Sequence, residues 1–267
     1  TAKKYFNIDN GQIVVTGKGS ALADKLENIT FDGKKLAVYY YDKYGNSIEK
    51  PVFNKEISSD LTAETIINKY IEKIGGSEKL NSVSTISLEA SVTIPGAPFK
   101  PKATIKEKSP NLTSMEMSVE GMGTLMKQKF DGNNGYMEQM GQKIPMENDQ
   151  LESERSQKGL FDELYMDTAA MEIVSLGPVD GKDAYKIKTK ENSFNYYDAE
   201  SGLLIMTEES TTQGGNTITS ITKFSDYREV DGILYAFKRE INAGPQKIEF
   251  EITNVIFNEE ISDEFFK

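Results

Sequence analysis

The stretch that decides the fold is Ser84-Thr-Ile-Ser-Leu-Glu-Ala-Ser-Val-Thr-Ile94, in which apolar and polar residues alternate. Its five apolar members share one face of a strand, because successive side chains point to opposite faces. The same period of two returns in four later runs: Met115–Val119, Tyr185–Lys188, Tyr235–Phe237 and Ile248–Ile252. The pattern predicts an antiparallel sheet with one buried, apolar face and one solvent-exposed, polar face.

Turn-forming pairs separate these runs. They are Asp131-Gly132, Asn134-Gly135, Asp180-Gly181, Ser201-Gly202, Gly214-Gly215, Asp231-Gly232 and Gly244-Pro245. Such pairs supply the positive φ angles of short hairpins. We therefore expect a meander of roughly ten strands in consecutive order, a number at which an open twisted sheet curls.

A helix precedes the sheet. One apolar stripe has the spacing of an α-helix and consists of Ile67, Tyr70, Ile71 and Ile74. Asp60 or Thr62 is placed to cap the start of this helix, and Gly75-Gly76 is placed to end it. The predicted fold class is mainly β with α: a curved antiparallel half-barrel over helices, preceded by a small α/β fragment.

Net charge and the position of Pro51 divide the chain into regions. Residues 1–60 carry nine Lys against eight acidic residues, a net charge of +1, so the remainder of the chain carries −12 of the total of −11. We predict three regions: an α/β fragment over 1–50, a linker over 51–60 that begins near Pro51, and the half-barrel over 61–267. The fragment should hold a buried strand at Gln12–Thr16, a helix at Ser20–Leu26 and a strand at Lys35–Asp42.

Composition excludes several classes of function. The chain has no His and no Cys, which removes imidazole bases, thiolate nucleophiles and the usual zinc and iron–sulfur ligands. We therefore expect no catalytic residue, no metal site and no cofactor in this chain. Its net charge of −11 argues against nucleic acid as a partner. The chain starts with Thr and holds no long apolar run, so we expect a mature or excised fragment with no transmembrane segment.

All ten Met residues lie between 115 and 206. Met repacks around ligands of different shapes, so the cluster predicts an adaptable apolar pocket on the dry face; an irregular, poorly filled core explains it equally well. After the polar run Glu147–Lys158, a helical stripe of apolar residues predicts a lid over the sheet mouth. The candidate pocket residues are Met115, Met117, Met126, Met137, Met140, Leu160, Phe161, Leu164, Tyr165 and Met206.

The first fifth of the chain resembles the extreme C-terminal end of insulinase-like (pitrilysin-type) zinc peptidases. The residues concerned are Ala2–Asn10, Ile13–Gly17, Ala21–Leu26 and Tyr41–Asn46, with Ile8 where that family usually has Pro. The resemblance implies that a peptidase would be the parent protein. Its zinc-binding His-x-x-Glu-His helix lies in the N-terminal half of such enzymes, so no catalytic residue is carried over to this chain.

The remaining three quarters are similar to the outer-membrane lipoprotein-carrier superfamily, of the LolA and LppX type. The matching segments, in order, are Ile74–Leu80, Tyr197–Leu203, Phe224–Ile233 and Ile252–Phe266. This resemblance implies an unclosed sheet over helices, with an apolar cavity that receives lipid or acyl chains in the cell envelope.

Together these features predict the non-catalytic C-terminal region of an insulinase-like zinc peptidase from the periplasm or cell envelope of a Gram-negative bacterium. Its half-barrel would bind a lipid, a lipoprotein or another hydrophobic ligand, and its other partner would be the rest of the parent peptidase. The alternative is a protein-docking module that recruits substrate for the peptidase and has no small-molecule ligand. An enzyme in its own right is the least favoured reading, given the missing His and Cys.

Overall fold

The computed structural model describes residues 13–17, 19–31, 33–42, 44–51, 55–139, 141–213, 216–244 and 246–267. The chain divides into two compact units, residues 1–55 and 56–267. The boundary falls within the stretch that the sequence marks as a linker.

The first unit holds one helix and two small hairpins among its described residues. Helix α1 is Gly19–Glu27; the paired strands are β1 (Thr30–Phe31) with β2 (Lys34–Lys35), and β3 (Tyr40–Tyr41) with β4 (Ser47–Ile48). Glu27 joins the helix to the second hairpin, since its carboxylate accepts a hydrogen bond from the Tyr40 hydroxyl at 2.7 Å and pairs with Lys50 at 2.7 Å.

Two predictions for the first unit are wrong. Ile13–Thr16 form no strand, and Ile13 and Val14 are 82% and 85% exposed. The predicted strand Lys35–Asp42 is reduced to the short pieces β2 and β3. A unit of this size closes only a small core, so apolar residues do not by themselves make a buried strand here. The predicted helix tail at Ala2–Phe6 lies outside the described residues.

The second unit is built on one antiparallel sheet, with thirteen strands among the described residues. They are β5 (Thr85–Thr93), β6 (Lys102–Lys108), β7 (Leu112–Val119), β8 (Gly123–Phe130), β9 (Gly135–Gln139), β10 (Gln142–Pro145), β11 (Glu172–Val179), β12 (Lys182–Lys190), β13 (Ser193–Asp198), β14 (Leu204–Gln213), β15 (Asn216–Val230), β16 (Ile233–Ala243) and β17 (Gln246–Phe257). The predicted curved, unclosed antiparallel sheet is confirmed.

The strand order differs from the predicted meander, in which all strands follow one another in sequence. It runs β10-β9-β8-β7-β6-β5-β17-β16-β15-β14-β13-β12-β11, so the first strand of this sheet pairs with the last, with Leu88 opposite Val255. Two meanders are thus joined at the centre, and β10 and β11 become the free edges. Local alternation and turn pairs specify neighbouring hairpins, but they carry no signal for a pair whose members are far apart in the chain.

Helix α2 (Ala63–Ile74) packs on one face of the sheet, which we call the inner face. Thr62 caps its start, with its hydroxyl accepting from the Thr65 amide at 3.2 Å. Its buried side includes all four residues of the predicted stripe. The helix ends at Gly75, where a φ of 146° and the close approach of the Gly232 carbonyl make any side chain strained.

The core lies between α2 and the inner face. Fully buried members include Ile67 and Ile74 from the helix and Ile86, Leu88 and Val92 from β5. Even-numbered residues of β5 thus face the core, as the alternation predicts. A short helix, α3 (Ser77–Asn81), follows α2 and buries Leu80 in the same core.

Residues 146–171 connect the two free edges, and we call them the lid segment. They form helix α4 (Asn148–Ser156) and two 3-10 turns, Asp162–Tyr165 and Thr168–Ala170. Glu147 and Gln150 make a capping box at the start of α4, a helix that buries none of its residues. An insertion with helical turns is present, and strands resume at Glu172 as expected, but its α-helix lies in the polar run and the predicted apolar stripe forms a 3-10 turn.

The C-terminus covers part of the outer face. A last 3-10 turn, Asp263–Phe266, packs against β7 and buries Phe266 to 1% exposure. Lys129 donates to the carbonyl oxygens of Phe265 and Lys267, and its ammonium lies 4.7 Å from the centre of the Phe265 ring. The C-terminal residues are therefore part of the folded unit.

Candidate functional site

The inner face carries a trough of partly exposed apolar side chains beside the buried core. These trough residues are Ile94, Ile105, Met126, Phe224, Ile248 and Phe250, and all six pack against the buried cluster under α2. The register puts them on the inner face: Ile105 pairs with Leu88, and Phe250 pairs with Val92. Each keeps some solvent contact, so this part of the inner face is only partly covered by the rest of the unit.

The structure brings most of the described candidate Met residues to the inner face. Met117 is buried in the core, Met126 lies in the trough, and the register places Met115 opposite Ile105 on the same face. Met137 is partly exposed and pairs with Gln128, which in turn pairs with Met115. Met140 lies outside the described residues.

Met206 is an exception. It belongs to a separate cluster with Ala184 and Tyr196, while Leu204 belongs to the core. A bulge lies between the pairs Tyr196–Met206 and Tyr197–Leu204, and it puts residues two apart on opposite faces. Met206 therefore lies on the outer face and does not line the predicted pocket.

The lid segment contributes three of its four predicted apolar residues. Phe161 is buried in the core under α2, and Leu160 and Leu164 pack against it. Tyr165 is 41% exposed and its hydroxyl donates to the Asn81 side-chain oxygen at 3.3 Å, so it lies outside the buried cluster. Residues 162–165 form a 3-10 turn, whose spacing differs from the α-helical one assumed for that stripe.

An open groove lies between the start of α2 and the end of the lid segment. Its volume is about 770 Å³, and its apolar lining includes Ile57, Leu61, Met166, Met171 and Ile173. All five but Ile57 also pack against the core under α2. Met166 and Met171 belong to the Met cluster but were not among the predicted pocket residues.

A carboxyl group of the lid segment acts electrostatically on three tyrosines. The carboxyl belongs to Glu163 in the first 3-10 turn, and the tyrosines are Tyr70 of α2, Tyr197 of β13 and Tyr227 of β15. We call these four residues together the tyrosine cluster. Burial raises the pKa of each of the three hydroxyls, and the negative charge of Glu163 raises it further. Burial likewise raises the pKa of Glu163 to about 7, with Asp162 adding to the shift.

A second polar group lies further along the inner face. Arg239 of β16 donates to the Tyr235 hydroxyl at 2.5 Å, while its buried Nε has no hydrogen-bond partner among the described residues. Burial raises the pKa of Glu107 on β6, and Arg239 partly offsets this. Among the described side chains, no carboxylate oxygen lies within 4.0 Å of a guanidinium nitrogen of Arg239, the limit for an ion pair.

Sequence reasoning missed both polar groups, although a signal was present. Ala103 and Ile105 face inward, so Glu107 occupies an inward position of the same strand, and Arg239 likewise follows Tyr235 and Phe237. A charged residue at an inward position, where the alternation of the strand calls for an apolar one, indicates a buried polar group of this kind. Among the described residues, no group of three His, Cys, Asp or Glu side chains is placed to hold a metal ion.

Solved structures with the same architecture are known. A DUF1329 family protein from Desulfovibrio piger superimposes with a TM-score of 0.51 at 10% identity, over 77% of this chain and 97% of its own. A LolA superfamily protein from Nitrosomonas europaea gives 0.50 at 9% identity, over 78% and 98%. The chain has a LolA-like fold.

A third LolA-like structure is a domain from Vibrio parahaemolyticus described as an outer membrane lipoprotein-sorting protein, with a TM-score of 0.52 at 9% identity over 76% of this chain and 97% of its own. No protein-family model and no curated protein matches the sequence. The peptidase resemblance of residues 1–50 is therefore unsupported by any of these comparisons.

Among the helices of the described residues, none has the length and apolar character needed to cross a bilayer.

Proposed function

We propose that the LolA-like unit of this chain binds an amphiphile, a lipid or the acyl chains of a lipoprotein, in the trough on the inner face. The observation that carries the proposal is the partly uncovered inner face: six apolar side chains pack against the core and still contact solvent. Concave, mostly apolar surfaces with a few polar groups are typical of small-molecule sites.

The energetics are adequate for such a ligand. Each methylene removed from water contributes about 0.8 kcal/mol, so eight to ten buried methylenes contribute about 6 to 8 kcal/mol, a dissociation constant of roughly 1 to 20 μM before the cost of association. The Met residues support the proposal because their side chains adapt to chains of different shape. The lid segment spans the two free edges, which makes it the element whose movement would admit the ligand.

A cell-envelope location is part of the same proposal. The structural neighbours include a LolA superfamily protein and a domain described as sorting outer membrane lipoproteins. We place this chain in the periplasm or envelope on that analogy of fold. A peptidase parent remains a prediction of the sequence resemblance alone.

Protein docking is the second candidate, and the free edge of the sheet favours it. All four residues of β10 are exposed, and an unpaired edge strand is a template for strand addition. In this case an extended segment of another protein would bind along Gln142–Pro145 and the trough would stay empty.

Two measurements separate these functions. Mass spectrometry of the purified protein should detect co-purifying lipid, and the uncharged probe N-phenyl-1-naphthylamine should gain fluorescence on binding. Phe250→Ala removes a trough side chain and should weaken probe binding roughly fivefold to thirtyfold, as expected for one to two kcal/mol of lost apolar contact. Ile256→Ala, on the same strand but 43% exposed, is the matched control and should leave binding unchanged. Absence of both lipid and probe binding would favour docking at β10.

A further inference from the structure

The open groove between α2 and the end of the lid segment is separate from the trough, since none of the six trough residues lines it. One wall comes from residues 57–64, which lead into α2, and the other from residues 166–173, which end the lid segment and begin β11. The apolar side chains that pack against the core and still keep partial exposure are Leu61, Met166, Met171 and Ile173. With a volume of about 770 Å³, the groove offers an apolar floor to a ligand from outside the unit.

The rim of this groove is acidic. Among the described residues that line it, the charged ones are Glu64 on the first wall and Asp167 and Glu172 on the second, and all three are exposed. Lys188 is opposite Glu172 in the pairing of β11 with β12. Even so, no Lys or Arg nitrogen of the described side chains lies within 4.0 Å of these three carboxylates. The rim therefore attracts a partner that carries Lys or Arg and repels an acidic one.

The second wall continues into a free edge of the sheet. Strand β11 pairs with β12 on one side and, among the described residues, with no strand on the other. Within that part of the chain its backbone makes no hydrogen bond outside this pair, so its outward N–H and C=O groups are open to another strand. A bulge between Ile173 and Ser175, followed by Pro178, limits the length of edge that a strand can follow. A segment that pairs here is therefore short, about four to six residues.

We propose that this groove and the edge of β11 bind a short extended segment of another protein, with apolar side chains on the floor and Lys or Arg at the acidic rim. The segment adds to β11 as a further strand, and its side chains enter the groove beside it. Met166 and Met171 suit apolar side chains of varied shape, because Met repacks readily. The inference does not rest on amphiphile binding, since the trough takes no part in it.

The first test is fluorescence polarisation with three labelled peptides at about 50 mM salt, where charge is weakly screened. Lys-Val-Lys-Val-Lys-Val supplies both features, Glu-Val-Glu-Val-Glu-Val reverses the charge, and Lys-Ser-Lys-Ser-Lys-Ser keeps the charge without the apolar side chains. The first peptide should bind about tenfold more tightly than either of the others, because floor and rim both contribute. Equal binding of the serine peptide would reduce the interaction to general attraction by an acidic chain and overturn the proposal.

The pairing with β11 is tested by two versions of the lysine–valine peptide, each N-methylated at alternate amides. Only one of the two sets of amides faces the edge of the sheet, so one version should lose binding and the other should keep it. Undiminished binding of both versions would show that no strand is added. Excess dodecyl maltoside should not displace the peptide, because the trough lies outside the groove. Displacement would place the peptide in the trough and contradict a separate surface.

A charge reversal on both walls locates the binding surface. Glu64→Lys combined with Asp167→Lys should weaken binding of the lysine–valine peptide about tenfold and strengthen that of the glutamate–valine peptide about tenfold. The gain for the second peptide also shows that the variant is folded. Asp149→Lys combined with Glu152→Lys, at exposed positions of α4, changes the net charge equally and should change neither affinity. Unchanged affinities in the groove variant, equal changes in the control, or failure of the lysine–valine peptide to bind wild type would each overturn the proposal.

Discussion

The ring of Tyr70 on helix α2 lies 5.5 Å from the ring of Tyr197 on strand β13. The Tyr197 hydroxyl also accepts a hydrogen bond from the Asn195 side chain at 3.2 Å, which holds this ring in place. The helix is thus attached to the second meander, while its other contacts reach the strands at the centre of the sheet. Glu163 of the lid segment acts electrostatically on both tyrosines and raises their pKa values.

The helix should be essential to the stability of the LolA-like unit. Ile71 is 7% exposed and contacts the buried cluster, so Ile71→Ala should lower the free energy of unfolding by about 2 to 5 kcal/mol in urea denaturation. Glu72→Ala, on the exposed side of the same helix, is the control and should change it by less than about 0.5 kcal/mol. A loss that small for Ile71→Ala would mean that the helix does not contribute to the core.

The C-terminal turn should contribute to stability as well. Phe266 is 1% exposed against the outer face, and Phe266→Ala should cost about 3 to 5 kcal/mol in the same denaturation experiment. Its neighbour Phe265 is 40% exposed, so Phe265→Ala should cost clearly less. Equal effects of the two substitutions would contradict the placement of this turn.

The ionisation of Glu163 should appear in the pH dependence of stability. Burial raises its pKa to about 7 in the folded protein, against an ordinary value of 4.5. Between these two pH values the folded state holds a proton that the unfolded state has released, so the contribution of this group to stability falls as the pH rises from 4.5 to 7. We expect the unfolding free energy of wild type, relative to Glu163→Gln, to decline across this window. A constant difference between the two proteins would show that the carboxyl is not desolvated.

Much of the second unit follows from the sequence because its signals are local. The alternation around Ile86 and Leu88 identifies the core face of β5, and the stripe from Ile67 to Ile74 identifies the buried side of α2. Both patterns depend only on neighbouring residues. The pairing of Leu88 with Val255 depends on residues far apart in the chain, so the joining of the two meanders was not predictable in this way.

The candidate site was predicted less completely, for a similar reason. Alternation marks the inward position of Met117, whereas Met126 was chosen only as a member of the Met cluster. The bulge beside Met206 puts that residue on the outer face, and no pattern in the sequence marks the bulge. The tyrosine cluster joins residues of four separate elements, so only the folded chain brings Glu163 to Tyr197. The exposed apolar residues of the first unit show the opposite failure, in which hydrophobicity alone suggested a buried strand at Ile13–Thr16.

The central claim is that an amphiphile lies in the trough on the inner face, and photo-crosslinking tests it most directly. A dodecyl maltoside analogue with a diazirine in its tail is irradiated with the protein, and the modified residues are identified by peptide mass spectrometry. The account predicts adducts on inner-face residues such as Ile105, Met115 and Phe250, and their loss when unmodified detergent is added in excess. Adducts confined to exposed apolar residues such as Ile218 and Ile256, with no effect of the competitor, would contradict it.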